Sequence, residues 1–465
     1  MTSKLDITSS PASDFNPSVR KPVLFADRVP GAIRGFLLSV SVLALVLFLL
    51  SNIDDIAAGR ACLTYGIGGS AINYASGFVR RGLYGEIIHL MTFICQPVVA
   101  IVLLSSVSIL FILYVFLRRM TRLNIGLPYI LAILFSPSLF IKQVNDSCYF
   151  HHTDAFILAI NIAASGFLMH LLFTRNKFRS LTKSFSGMIL VDSLVFMILL
   201  VPALVHELSV TLMLPVMLLF FIFAMRAHRT LHCVAVADIL IVVYAVMMTR
   251  FKYSDPGIIS DSWSDVYQDV AWLKSNPGLT NVVGETQAVQ HLNMSLSLIK
   301  EQSVLFCLRL LAAVAVPFAV LLCSGIAIFK SASSRAAVMR GLLLVSCLCP
   351  LVLSLAGIDF GRWFSICAIN LNAYTLMIAH AAGRRRQQSY SAKVIEKMKS
   401  RVKICLVIAT AAILINYRLH TFGYFYRPAQ TIWKQTIQIV VNAIHLPEDI
   451  KPLLTREKVI QNSGC

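Results

Sequence analysis

Apolar residues in this chain gather in long runs, separated by short basic clusters or by Pro, Gly and Asn turns. A run of about 20 apolar residues in helical conformation matches the ~30 Å hydrocarbon core of a bilayer. Runs of that scale occupy 33–52, 97–117, 124–141, 154–173, 186–205, 208–225, 230–249, 304–329, 338–357, 364–382 and 402–417. The pattern predicts an all-α fold, a polytopic transmembrane helical bundle of about eleven spans. Run 124–141 carries Pro128 and Pro137, and almost nothing separates 186–205 from 208–225, so ten or twelve spans satisfy the same pattern. Residues 1–32 are polar and hold Pro11, Pro17, Pro22 and Pro30. They predict a disordered tail ahead of an uncleaved anchor, because the first run is too long for a cleaved signal segment.

Charge orients the bundle. Placing the N-terminus in the cytoplasm puts 25 of the 41 Lys and Arg on the inner side, against Asp6, Asp14, Asp27 and Glu396 as the inner acids. The inner face then carries +21 and the outer face is close to neutral. The positive-inside rule accounts for the formal +19, so the basic excess calls for anionic lipid headgroups and for no nucleic acid. Charged residues are 14% of the 465 positions and hydrophobic residues 57%, which excludes an ordinary soluble domain. Most of the eleven Cys lie in or beside apolar runs without paired metal-ligand spacing and behave as small hydrophobes; Cys62 and Cys148 are the two that outer loops offer for pairing. No internal repeat of the kind common in transporters is evident.

On this topology the inner loops are short and basic, and candidate chemistry collects on the outer side. The outer loops 53–96 and 250–303 are the longest, and 418–465 forms an extracytoplasmic tail whose apolar spacing at 428–446 predicts an amphipathic helix on the surface. Loop 250–303 reads as a small helical lid, with turns at Asp255-Pro-Gly257 and Asn276-Pro-Gly278 and helical stretches near 264–274 and 284–300. Asp54 and Asp55 directly follow the first run. Carboxylates at that interface can take a proton from a sugar hydroxyl or hold a divalent cation, and the same pair also serves to end a helix in water. In Phe78-Val-Arg-Arg-Gly-Leu-Tyr-Gly-Glu86, Arg80 and Arg81 are flanked by Gly77, Gly82 and Gly85, which lets backbone and guanidinium groups approach an anion such as phosphate. Snorkelling to headgroups is the plainer role for such arginines, yet an outer Arg-Arg runs against the positive-inside bias.

Asp146, His151, His152 and Asp154 fall within nine residues at the mouth of a run, in a spacing that matches no standard zinc pattern. They read as acid/base or hydroxyl-binding groups, as a polar loop, or as a metal site of non-standard spacing. His206 and Glu207 stand between two apolar runs, where ionisable residues either line a cavity or make a hairpin turn. Asp359 and Arg362, three apart at another outer corner, either pair across a helical turn or leave Arg362 as a second phosphate ligand. Asp192 and Asp238 lie inside runs, as a proton path or as locally capped polar groups.

The Asp-Asp after the first span, the polar first outer loop, the many helices and the large late outer loop resemble the GT-C class of integral membrane glycosyltransferases. The Gly-Phe-Val-Arg-Arg-Gly-Leu-Tyr-Gly stretch and the Asp-Phe-Gly-Arg-Trp corner are also similar to bacterial multi-pass proteins of surface-polysaccharide assembly, repeat-unit polymerases included. The resemblance implies that Asp54 or Asp55 is the general base or metal-binding carboxylate, and that Arg80, Arg81 and Arg362 hold the phosphate of a polyprenyl-linked sugar donor. It implies that His206 and Glu207 line the acceptor side. The chain departs from some GT-C enzymes in having no soluble C-terminal domain and no metal signature beyond isolated carboxylates, which leaves acceptor class and metal dependence open. The expectation is a glycosyltransferase or polysaccharide polymerase of the bacterial inner membrane. A transporter or flippase for a lipid-linked sugar or anion, and a non-catalytic scaffold of an envelope assembly complex, are the alternatives.

Overall fold

The computed structural model describes residues 68–77, 82–95, 97–123, 127–134, 153–173, 185–206, 255–265, 271–274 and 360–383, with single or paired positions elsewhere, among them Ser209, Leu212, Met213 and Leu279. These residues are overwhelmingly helical. In chain order the helices are α1 (Gly82–Met91), α2 (Pro97–Arg122), α3 (Leu127–Leu134), α4 (Asp154–Phe173), α5 (Phe185–Val205), α6 (Pro256–Asp261), α7 (Ala271–Lys274) and α8 (Phe360–Gly383). One antiparallel ladder joins β1 (Arg418–Leu419) to β2 (Tyr426–Arg427), with Arg418 opposite Arg427.

The apolar runs 97–117, 154–173, 186–205 and 364–382 coincide with α2, α4, α5 and α8, and α3 lies inside 124–141. Of these helices α2 alone is long and apolar enough, over Val99–Arg122, to cross a membrane; shorter apolar stretches run over Asp154–His170 and Ser193–Val205. The remaining runs and the amphipathic stretch 428–446 fall outside the described residues, apart from isolated positions. Two boundaries move. The Asp359-to-Trp363 corner becomes the first turn of α8, which starts at Phe360. The turn expected at Asp255-Pro-Gly257 is instead the start of α6, because Asp255 accepts the Gly257 amide (2.7 Å) as N-cap and Pro256 supplies a preset first helical position; of the helical stretch expected near 264–274, Ser264 and Asp265 lie in a turn and 271–274 form α7.

Helix α4 is the hub, packing on α2, α5 and α8, while α2 also touches α8. Helix α8 is buried without interruption from Phe364 to Ala379, polar Ser365, Asn370, Asn372 and Thr375 included. Helix α2 is apolar on both sides. Ile101, Ile109, Ile112, Phe116 and Met120 face the bundle, and Val99, Leu103, Val107, Phe111 and Tyr114 form an exposed stripe at helical spacing. Three of its four Ser and Thr hydroxyls, those of Ser106, Ser108 and Thr121, bond back to carbonyls four residues earlier and so are satisfied within the helix. At its C-terminal end Arg118 bonds to the Tyr114 hydroxyl (3.1 Å) and lies 5.6 Å from the ring centroid.

One end of the bundle is capped. Helix α1 packs across α2 and α5, joined to α2 by a turn in which Phe93 and Ile94 are 84% and 88% exposed. Against α1 lies the stretch 68–77, and on that stretch sits the 255–263 segment. The Trp263 indole donates to the Ala71 carbonyl (2.9 Å) and meets His89 edge-on at 5.0 Å. Asn73 donates to Ser262 (2.9 Å), and the Asp255 amide donates to Ser76 (3.1 Å). An exposed Lys274–Asp261 pair at 2.8 Å ties α7 to α6, a surface contact of small energetic weight.

Two glycines permit this cap. A Cβ on Gly85 would overlap the backbone carbonyl of Ile72, and one on Gly82 would overlap the Tyr74 ring. Gly85→Ala is therefore expected to destabilise the protein by about 3 kcal/mol or more, since backbone must move. Gly82→Ala should cost less and should be partly rescued by Tyr74→Ala, which removes the ring. Thermal unfolding of the purified protein in detergent measures both; equal effects of the two glycine substitutions would contradict this packing.

Candidate functional site

At the capped end, a carboxylate is buried beside two hydroxyls. Asp154 opens α4 and is fully buried; the Thr153 carbonyl accepts the Ile157 amide (2.9 Å), so Thr153 stands at the cap and Asp154 in the first turn. A negative charge there is favoured by the unpaired amides and the dipole of the helix N-terminus. Tyr84 of α1 is fully buried within reach of the Asp154 charge, its ring 5.0 Å from Phe156 at a tilt of 49°. Burial pushes the Tyr84 hydroxyl well above the usual phenol range; the nearby Ser105 hydroxyl pulls it down, and the Asp154 charge raises it further. Neither the Tyr84 nor the Ser105 oxygen completes a hydrogen bond of full geometry, although the two are close enough to influence each other. Ser105 is the one α2 hydroxyl not spent on its own helix. Buried hydroxyls without partners are uncommon and point to a place where something polar belongs.

The rest of the cap supplies further polar groups. Glu86 accepts the Tyr74 amide at 3.3 Å. Nδ1 of His89, beside Trp263, is buried without a hydrogen bond. His206 is buried just past α5; its amide bonds to the Pro202 carbonyl (3.1 Å) and its carbonyl accepts the Ser209 amide (2.9 Å). Beyond His206 the chain returns along the bundle, because Ser209 bonds to Asn161 of α4 (3.2 Å) and the Leu212 carbonyl accepts from Asn370 (2.8 Å) and Tyr374 (2.5 Å) of α8.

Of the residues expected at a site, Asp154 and His206 are described with their side chains, and both are buried. Arg362 lies in the first turn of α8. Arg80 and Arg81 directly precede α1 in sequence and, with Asp54, Asp55, Asp146, His151, His152, Glu207 and Asp359, lie outside the described residues. Gly82 and Gly85 are taken up by the chain's own Tyr74 and Ile72, so they do not form an open anion cradle. Gly77, at φ 93°, is the flanking glycine with open space and a backbone conformation suited to glycine. Among the described residues no three His, Cys, Asp or Glu side chains gather to hold a metal. In sequence, Tyr84 and Trp263 stand only as members of the 78–86 motif and of loop 250–303, and Ser105 and His89 carry no signal of their own; the structure gives all four their neighbours.

No protein-family model, curated protein or solved structure matches this chain. The functional reading therefore rests on the residues themselves.

The Tyr74 phenol offers a direct test of the cap. Burial, and secondarily the Glu86 charge, push it up from 10.0 to about 12. A raised folded-state value contributes stability that is whole below pH 10 and is lost as pH rises towards 12. Stability measured across that alkaline window should fall, and Tyr74→Phe should remove part of the fall. Glu86→Gln should bring the phenolate transition down only slightly, because burial is the larger cause; a transition at the ordinary phenol value would contradict the cap geometry.

Proposed function

We propose that the chain is an integral membrane protein of about eleven spans, N-terminus in the cytoplasm, that transfers sugar from a polyprenyl-phosphate-linked donor to an acceptor at the extracytoplasmic face of a bacterial inner membrane. The observation that carries this reading is the buried Asp154 carboxylate at the head of α4, near the buried Tyr84 and Ser105 hydroxyls of α1 and α2, with Arg80 and Arg81 directly preceding α1 in sequence. On the proposed topology that end faces outward, and the first turn of α8 with Arg362 falls on the same side, as do Asp54, Asp55, His206 and Glu207. The exposed apolar stripe of α2 supports the membrane part, since a water-facing helix would carry polar residues there.

Sugar transfer of this class joins an acceptor oxygen to the anomeric carbon while the bond from that carbon to the phosphate oxygen breaks. The bonding pair leaves on the phosphate, which arginines stabilise, and the acceptor proton passes to a carboxylate or imidazole. Asp54 or Asp55 is the proposed base, Arg80, Arg81 and Arg362 the proposed phosphate ligands, and Asp146, His151, His152, Asp154 and Asp359 hydroxyl-binding or orienting groups. The second reading, transport or flipping of a lipid-linked sugar or anion, is favoured by one observation: polar Asn161, Ser165, Asn370 and Tyr374 continue into the bundle.

Single changes Asp54→Asn, Asp55→Asn and Arg81→Ala, in a strain whose surface glycan depends on this chain, separate the two readings. Transfer predicts that at least one lowers glycan output about 100-fold or more at unchanged protein abundance, with donor accumulating. Normal output in all three would sink the site, and intact linkage with donor trapped on the inner face would favour transport. The membrane placement has its own test. Val107, 62% exposed on α2, is expected to face lipid, so Val107→Arg should cost ~2.5–3.5 kcal/mol of insertion and deplete the membrane-integrated protein. At a water-facing site the same change would stay within about 0.5 kcal/mol.

A further inference from the structure

Inside the bundle, away from the capped end, the hydrogen bonds are unevenly balanced. Asn161 of α4 uses its amide nitrogen twice, on the Ile157 carbonyl (2.9 Å) and the Ser209 hydroxyl (3.2 Å). Asn370 of α8 uses its amide nitrogen on the Leu212 carbonyl (2.8 Å). Each nitrogen faces a carbonyl oxygen, so neither amide can be turned round without setting oxygen against oxygen. Both side-chain oxygens are left buried and without a hydrogen-bond partner, on residues that are 0% and 4% exposed. The two amide nitrogens, from two different helices, bond to Ser209 and to Leu212, three residues apart, so the two carboxamides stand on neighbouring positions of the chain. Ser165 and Tyr374 close the cluster: Ser165 bonds to the Tyr374 hydroxyl (3.1 Å), which donates to Leu212.

What is left over is acceptor capacity. The Leu212 carbonyl already takes two donors, while the two carboxamide oxygens carry four lone pairs between them, more than the two protons of one water can satisfy. Carboxamide and hydroxyl oxygens turned inward are the ligands that replace water around a hard cation. The named residues are all neutral. Neutral dipoles compensate the dehydration of one charge, whereas a divalent ion, whose dehydration cost rises with the square of its charge, calls for carboxylates. We propose that the Asn161 and Asn370 side-chain oxygens, with Ser165 and Ser209 beside them, bind a dehydrated monovalent cation between α4, α8 and the returning chain. This goes beyond the proposed sugar transfer and holds whether or not that reading does.

The full-length protein in detergent is titrated with NaCl, KCl and choline chloride at constant ionic strength, reading Tm, and retention of radioactive sodium is measured on the unaltered protein. A saturable rise in Tm with sodium or potassium, absent with choline, is expected, together with saturable sodium retention that the favoured cation displaces. Asn161→Ala and Asn370→Ala should weaken the apparent affinity about tenfold or more, as for the loss of one oxygen contact to a charge. If a variant fails to fold, the measurements on the unaltered protein still decide. Identical Tm in all three salts with no saturable retention overturns the proposal and leaves bound water as the partner of these oxygens.

Discussion

The hydrogen bond from Tyr374 to the Leu212 carbonyl is the contact on which the bundle interior turns. A carbonyl buried among apolar side chains loses ~1–3 kcal/mol if left unpaired, so the returning chain after His206 can dock only where donors await it. Helix α8 provides two, from Asn370 and Tyr374, and Ser165 of α4 holds the tyrosine hydroxyl in place. Because α4 also packs on α2 and α5, this one polar junction ties α8 and Leu212 to the rest of the described bundle. Apolar packing supplies the bulk of the attraction, but it is tolerant of rotation and sliding; directional bonds at one depth are not.

The capped end is built by the opposite means, shape before polarity. Helix α1 approaches the 68–77 stretch so closely that Gly82 and Gly85 have no room for side chains. Trp263 then fills the space over that contact, its nitrogen satisfied by Ala71 and its face by His89. Such a junction connects segments nearly two hundred residues apart and holds Tyr84 against Asp154. The position of the carboxylate is therefore a consequence of packing at a distance from it.

Much of this architecture was legible as apolar runs. Runs 154–173 and 186–205 became helices almost to the residue, because Thr153 and Asp154 begin one and Phe185 to Val205 is mostly apolar, with Asp192 its one charged residue. Run 364–382 was legible as a helix, but its four extra N-terminal residues were not: Gly361 suggested a turn where the chain is already helical. Function was less legible. Asp154 and His206 stood out as ionisable residues beside apolar runs, whereas Tyr84, Ser105 and Trp263 look unremarkable in sequence, since their character comes from neighbours supplied by other segments. Of the glycines around Arg80 and Arg81, Gly82 and Gly85 are taken up by the chain's own packing and Gly77 is left open: spacing reveals that a backbone must be approached, not what approaches it.

Charge and neutral polarity are also sorted by position, and the reason is energetic. Asp154 bears its burial because it sits on a helix N-terminus, where amide dipoles favour a carboxylate, and because the cap places it at an end of the bundle. Deeper along α4, at Asn161 and Ser165, no helix end is at hand, and the polar side chains are uncharged. A carboxamide in that position asks only for partners, while a carboxylate would ask for a counter-charge as well. The same helix thus separates a charged end suited to chemistry from a neutral interior suited to holding the fold, and the separation follows from where the helix begins.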